Sequence, residues 1–369
     1  MKYKLKDIAE IIAGGTPSTK MEQYWNGEIA WITPKDLANH SGRYISRGER
    51  NITKEGLENS STKLMPINSV LFTSRAPIGY VAIAKNQVCT NQGFKSLVCK
   101  DSICYYMYIY YWLIYNTDYI KSKANGSTFQ EISTNVMKEI EIDLPSIEYQ
   151  KKVANILKKI DEKIELNNQI NDNLLEVIKT LYTEKIKNNN DTNFEYRTLD
   201  EFCNIFTGKK NANASEEKGK YKFFTCAPEP LNINSYIYDG PAVIVAGNGA
   251  YTGRTNFYNG KFDLYQRTYG ITTNNDYIYL FYAMIYTDLQ NDIMGGTHGS
   301  AIPYIVMNDI AKFKVKYHKE IFDELSQKVK VLLLEIKSNE SENETLIQIR
   351  DTLLPKLMNG EIDLNNIEI

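Results

Sequence analysis

Two turns carry arginines whose setting suits recognition chemistry. Thr73–Ser74–Arg75–Ala76–Pro77 follows the apolar run Val70–Leu71–Phe72, so Ser74 and Arg75 leave a strand and enter a turn. Arg254 closes a glycine-rich stretch, Gly247–Asn248–Gly249–Ala250–Tyr251–Thr252–Gly253, which follows Val243–Ile244–Val245. A guanidinium can bind guanine O6 and N7 together or grip a phosphate. The alternatives are a solvated loop arginine and a plain hairpin. Thr33, Lys35 and Asp36 follow Trp31–Ile32 in the same strand-to-turn manner. Asn91, Gln92 and Lys95, with Gln266 and Arg267 later in the chain, suit adenine or guanine edges, though all sit beside strands where structural hydrogen bonding serves equally. Gly126–Ser127–Thr128–Phe129–Gln130 recurs as Gly295–Gly296–Thr297–His298–Gly299–Ser300, and small residues there let backbone N–H groups approach a phosphate or simply cap a helix. Lys209, after Gly208, completes the candidates: Ser127, Thr128, Gln130, Thr297 and His298 from these loops, with Asn248 beside Arg254.

Covalent chemistry is scarcely advertised. The glycine-rich stretch lacks the spacing of a phosphate loop or dinucleotide fingerprint, and no G-x-S-x-G, Pro-Pro pair or metal-ligand cluster occurs. His298 is one of three histidines and has no sequence partner for metal or triad chemistry. The expectation is a non-enzymatic chain without a cofactor or metal of its own.

The elements that must hold these turns are written twice. Leu5, Ile8, Ile11, Ile12 and Gly14 recur as Leu199, Phe202, Ile205, Phe206 and Gly208. Tyr106, Tyr108, Tyr111, Ile114 and Tyr115 recur as Tyr277, Tyr279, Tyr282, Ile285 and Tyr286. The offset shrinks between residues 37 and 70, so the second copy lacks about 20 residues there. The tyrosines at helical spacing, among them Tyr108, Tyr111, Trp112, Tyr115 and Tyr119, read as a packed face rather than a stacking platform.

Each copy ends in a long helix. Positions 153, 157, 160, 164, 167, 171, 174, 178, 181 and 185 hold Val, Leu, Ile, Ile, Asn, Asn, Leu, Ile, Leu and Lys. Positions 325, 329, 332, 336, 339, 343, 346, 350, 353 and 357 hold Leu, Val, Leu, Ile, Asn, Asn, Leu, Arg, Leu and Leu. This is a coiled-coil seam with two asparagine layers in each helix, Asn167 and Asn171 against Asn343 and Asn339. A helix of about 40 residues is roughly 60 Å long. A globule of about 130 residues, with a radius of gyration near 14 Å, would be strained to bridge that length between parallel helices, so the pair is expected antiparallel.

The expected fold is therefore α+β: two similar modules at opposite ends of an antiparallel two-helix coiled coil, related by a pseudo-twofold. The predicted boundaries are module one at 1–147, a first spacer helix at 148–187, module two at 188–319, a second spacer helix at 320–358 and a tail at 359–369. On B-DNA such a bar spans at most about 17 base pairs.

The residues together resemble the specificity subunit of type I restriction–modification systems along nearly the whole chain. The carrying segments are Leu5–Lys6–Asp7–Ile8, Gly14–Gly15–Thr16–Pro17–Ser18, Trp31–Ile32–Thr33–Pro34–Lys35–Asp36–Leu37, Thr73 to Gly79, Asn91–Gln92–Gly93–Phe94 and Ile142–Asp143–Leu144–Pro145. The resemblance implies two target recognition domains, each reading one half of a bipartite, asymmetric site in double-stranded DNA. It implies helices that space the halves and dock two modification (methyltransferase) subunits, which carry S-adenosylmethionine. Restriction subunits with translocase and nuclease activity can join for cleavage. The second copy departs from the pattern, with Phe223–Phe224–Thr225–Cys226–Ala227–Pro228 where the first has Trp31 to Leu37, as expected if the modules read different bases. The rival reading is a coiled-coil scaffold joining two proteins without touching DNA.

Composition bounds these readings. The 369 residues carry 43 Lys+Arg and 45 Asp+Glu, which excludes a generic polycation. Residues 320–369 hold 5 basic and 11 acidic residues, so the acidity lies in the last helix and tail, away from the proposed readers. Five cysteines without a C-x-x-C pair, no signal-like start and no apolar run long enough for a membrane span lead to the expectation of a cytoplasmic protein with reduced thiols.

Overall fold

The computed structural model describes residues 1–38, 40, 42–125, 130–289 and 304–364. The chain forms two compact units, Met1–Leu166 with Asn343–Ile369, and Asn167–Glu342. Both cuts fall inside long helices, Ile147–Tyr182 and Lys319–Met358, at the asparagine layers. Each unit is thus one α+β module together with its own halves of both helices.

The first helix begins after Pro145, where the Ser146 hydroxyl accepts from the Tyr149 amide at 3.3 Å, and ends in a wider turn over Thr183–Lys187. The second ends beyond Pro355, at Gly360 with φ +70°, a conformation glycine adopts without steric cost. Within the first unit, Val153, Ala154 and Leu157 from the start of one helix share a core with Leu354 and Leu357 from the end of the other. Within the second, Ile178 near the end of the first helix packs with Leu325, Val329, Leu333 and Ile336. The helices are antiparallel in both units.

Asn339 Nδ2 donates to Asn171 Oδ1 at 2.8 Å, with both residues buried, as the register argument requires. Asn167 Nδ2 donates to a Glu342 carboxylate oxygen at 2.7 Å. The strict 4–3 seam is not followed to the ends. Leu333 is more deeply buried than Leu332, and Lys185 is exposed while Ile186 takes the buried place. A module packs beside each helix end, so the apolar stripe there must be broader than a two-position seam. Replacing Asn171 alone with alanine would strand the buried Asn339 amide and should cost about 1–3 kcal/mol. Leucine at both positions should instead match or raise the unfolding midpoint while weakening the register. Thermal unfolding of the two variants checks this contrast.

Both modules share one sheet plan. In the first, β1 (Lys2–Lys4) pairs antiparallel with β10 (Glu141–Asp143), bringing the module's two ends together. The main sheet orders β2 (Ala9–Ala13), β9 (Lys95–Cys99), β6 (Val70–Ser74), β7 (Ile78–Ala84) and β4 (Tyr44–Ile45). A second sheet orders β5 (Arg50–Ile52), β3 (Trp25–Ile32) and β8 (Val88–Thr90). In the second module, β11 (Glu195–Thr198) and β18 (Lys314–Tyr317) close the ends. Its sheet orders β12 (Asn204–Thr207), β17 (Thr268–Thr272), β15 (Tyr238–Ala246), β16 (Thr255–Leu264), β13 (Tyr221–Phe224) and β14 (Leu231–Ile233). In each, the penultimate hairpin is antiparallel and one earlier strand adds in parallel, β4 on β7 and β13 on β16.

The tyrosine-rich helices lie in the cores. Tyr108 and Tyr111 are fully buried in Tyr106–Tyr115, as are Phe281 and most of Tyr282 in Tyr277–Met284. Tyr115 and Tyr119, read from the sequence as part of the packed face, are exposed: the helix ends at Tyr115, and Tyr119 belongs to a separate short one, Thr117–Lys121. Among the described residues, no helix is long and apolar enough to cross a membrane.

Candidate nucleic-acid interface

In the first module, four loops leave the ends of neighbouring strands and are stitched together by their backbones. The Ser74 amide donates to Gly93 O at 2.7 Å, Asn91 N to Ile32 O at 3.0 Å, and Gly15 N to Thr90 O at 2.9 Å. The loops that follow β2, β3, β6 and β8 therefore share one rim. The second module repeats the plan. Gly247 N donates to Arg267 O at 2.9 Å, Gln266 N to Lys210 O at 2.9 Å, and Cys226 Sγ to Arg267 O at 3.3 Å. The sequence candidates come together by module, those around Arg75 and Gln92 at strand ends that correspond to those of Arg254 and Gln266.

Their side chains divide into two groups. Thr33 and Asp36 are engaged internally: one Asp36 carboxylate oxygen accepts from the Thr33 amide at 2.7 Å and its hydroxyl at 2.6 Å, and the other accepts from Glu49 N at 2.8 Å. Asn91 Oδ1 accepts from Gly93 N at 2.8 Å, a local turn. Ser74 departs most from the expectation of a DNA-facing hydroxyl. It is fully buried, and its Oγ lies 3.3 Å from Lys95 Nζ. These residues shape the loops, because a strand-end turn must satisfy its own backbone before it can present anything.

Lys95, also read as a contact, is buried, and its ammonium reaches Glu131 at 3.4 Å. Burial pushes its pKa below the ordinary lysine value, with the Glu131 charge opposing that shift. Arg75 Nη1 shares the same carboxylate at 3.3 Å while the side chain remains over a third exposed. The turn beneath Arg75 is braced by Thr73, whose hydroxyl donates to Pro77 O at 2.8 Å and accepts from Tyr80 N at 2.8 Å. Ala76 sits at φ +56°, an uncommon conformation for a residue with a Cβ. The arrangement points a pre-set guanidinium outward, with a buried lysine behind it.

The second group remains available. Lys35 is exposed and reaches Glu49 at 2.7 Å, a hydrogen bond that raises its pKa. Gln92 is exposed and hydrogen-bonds with Thr16. Gln130, Lys209, Gln266 and Arg267 are exposed, and Asn248 and Arg254 are half-buried. Ser127, Thr128, Thr297 and His298 lie outside the described residues.

Sequence reasoning missed Glu131, the counter-charge for two candidates, because nothing in its spacing links it to residues 56 and 36 positions away. It also missed Arg50, stacked 3.6 Å over the Trp25 ring. Among the described residues, no group of three or more His, Cys, Asp or Glu could hold a metal ion, and all five cysteines are free thiols. The chemistry on offer is hydrogen-bonding and charge, presented by two rims of like construction.

Comparison with known proteins identifies this construction. The family profile described as "Type I restriction modification DNA specificity domain" matches twice, over residues 1–176 and 191–350. The MjaIX type I restriction enzyme specificity subunit of Methanocaldococcus jannaschii is 33% identical over 407 aligned positions, covering 99% of this chain and 94% of that one. The EcoDI specificity subunit of Escherichia coli is 37% identical over 172 positions, covering 44% of this chain and 37% of that protein. The crystal structure of a type I S subunit from M. genitalium superposes with a TM-score of 0.60 at 18% identity, covering 97% and 95% of the two chains, which establishes a shared fold. Two family domains on one antiparallel helix pair, with full-length similarity above 30% identity, place the chain in the family of type I restriction–modification DNA specificity subunits.

Proposed function

We propose that each module reads one half of a bipartite, asymmetric site in double-stranded DNA, and that the two helices set the gap between the halves. The observation that carries this reading is the repeated rim: the hairpin that carries Arg75 and the loop that carries Gln92 in one module recur as those that carry Arg254 and Gln266–Arg267 in the other, while Lys35 and Lys209 follow strands that do not correspond. Different side chains on one scaffold are what two different half-sites demand. The chain itself is non-catalytic. Methyl transfer belongs to two modification subunits that carry S-adenosylmethionine and dock on the helices, where Leu166, Val177, Val331 and Ile349 leave apolar surface exposed. Restriction subunits join that assembly for cleavage, and the complex works in the cytoplasm.

The test is duplex binding by the complex reconstituted with its modification subunits. Retention of a cognate duplex, weakening linearly as log salt rises, is the expected result. Failure to retain any duplex would return the chain to a protein scaffold. Mapping methylated bases in cells carrying the full system then yields both half-sites and the gap.

A further inference from the structure

The second unit holds a cleft of about 530 Å³ where the first long helix, the start of β16 and the end of the tyrosine-rich helix meet. It is lined by Lys179, Arg254, Asn256 and Tyr286 among others, and none of its lining residues is an acid. Lys179 reaches Glu176, one helical turn back, at 3.6 Å, with both side chains largely in solvent. The Arg254 guanidinium lies 5.9 Å from the Tyr251 ring, and among the described residues it has no ion pair. Two cations, an amide and a phenol thus face one concave space, with donors in excess of acceptors. That composition suits a tetrahedral oxyanion held by charge and hydrogen bonds. Two other clefts differ in charge: one has Asp276 and Asp323 and no basic residue in its walls, and the other sets Glu28 beside Arg47.

We infer that this cleft is a binding site for a backbone phosphate of the DNA read by the second module, with Lys179 of the spacer helix as its sequence-independent anchor. The inference rests on the reading of that module as a DNA reader. It adds a role for the helix: besides fixing distance, the helix holds the duplex through a charge that carries no base information. Arg254 links the two functions, since it leaves the glycine-rich turn and lines the phosphate cleft.

The experiment uses the complete complex with its modification subunits, titrated with cognate and single-mismatch duplexes across a salt series. Lys179→Ala should weaken binding several-fold on both duplexes alike and reduce the salt slope by about one, and Lys179→Arg should restore both. Inorganic phosphate added at matched ionic strength should compete with wild type more than with Lys179→Ala if the site takes free phosphate as well as the duplex. An unchanged affinity and slope would overturn the inference, as would a change confined to one base position. Loss of modification subunits from the Lys179→Ala complex, read by native mass, would also overturn it by making the lysine a docking residue. If the wild-type complex retains no duplex at all, the DNA reading itself fails, which is a separate outcome.

Discussion

Asp161→Ala should lower the unfolding midpoint of the first unit by about 10 °C. Asp161 sits on the first spacer helix and is almost fully buried. One of its oxygens accepts from the Tyr111 hydroxyl at 2.6 Å, and the other from Arg350 Nη1 on the second spacer helix at 3.2 Å. Arg43, leading into β4, lies 4.0 Å away and grips Glu165 through Nε at 2.9 Å and Nη2 at 3.0 Å. Module, first helix and second helix are therefore joined by one buried charge network. Removing Asp161 strands the buried Tyr111 hydroxyl and takes a counter-charge from Arg43 and Arg350, which keep Glu165 and Asp351, so the cost is about 3 kcal/mol, the lower end for breaking a buried pair. At about 2–4 °C per kcal/mol for a unit of this size, the shift is large. Tyr111→Phe keeps both charges and should cost about 1 kcal/mol. A midpoint within 2 °C of wild type for Asp161→Ala would show that the network adds nothing net.

The same network predicts an acid limit. Burial alone would raise the Glu165 carboxyl, but the Arg43 hydrogen bonds and charge outweigh it and hold the group below its usual range. A depressed folded pKa contributes stability above the unfolded value near 4.5 that is lost as pH falls through the folded one. Acid unfolding below pH 4.5 should therefore be blunted in Glu165→Gln, whose stability at neutral pH is already reduced.

The second large effect falls on recognition. Arg75→Ala in the assembled complex should cost about 1–3 kcal/mol of duplex affinity, roughly 5- to 150-fold. If Arg75 reads a base edge, the loss concentrates at one position of the half-site; if it grips phosphate, all duplexes weaken alike. Glu131→Gln sharpens the comparison. It removes the charge shared by Arg75 and the buried Lys95, so Arg75 loses its fixed direction while the rim becomes more positive. Discrimination between cognate and mismatched duplexes should fall while non-specific affinity rises. Equal discrimination in wild type and Glu131→Gln would leave Glu131 with a purely structural task.

How much of this was legible beforehand varied by level. The repeat, the two long helices and their asparagine layers could be read from residue spacing, because helix packing depends on which residues recur at 3.5 to 3.6 positions. The common sheet was less visible, since the strands of the second module share few residue types with those of the first. The rim loops could be located as strand-to-turn transitions. Which of their side chains face outward could not. Ser74 and Lys95 look as exposed in the sequence as Arg75, yet both are buried, Ser74 against Lys95 and Lys95 against Glu131, contributed by a loop far along the chain.

The chain's repeat and helical spacing, with the length of the segment that joins the two helices, by themselves determined two like modules on an antiparallel pair of helices, because spacing along one chain encodes which faces must be covered and the joining segment limits how far apart the helix ends can lie. Only the tertiary structure decided the rest. It put each unit boundary inside the helices, joined Arg43, Asp161, Glu165 and Arg350 into one buried network, and set Lys179 beside Arg254. Those contacts join residues up to 189 positions apart, Asp161 and Arg350, and their energies come from burial and charge proximity, which no local spacing encodes.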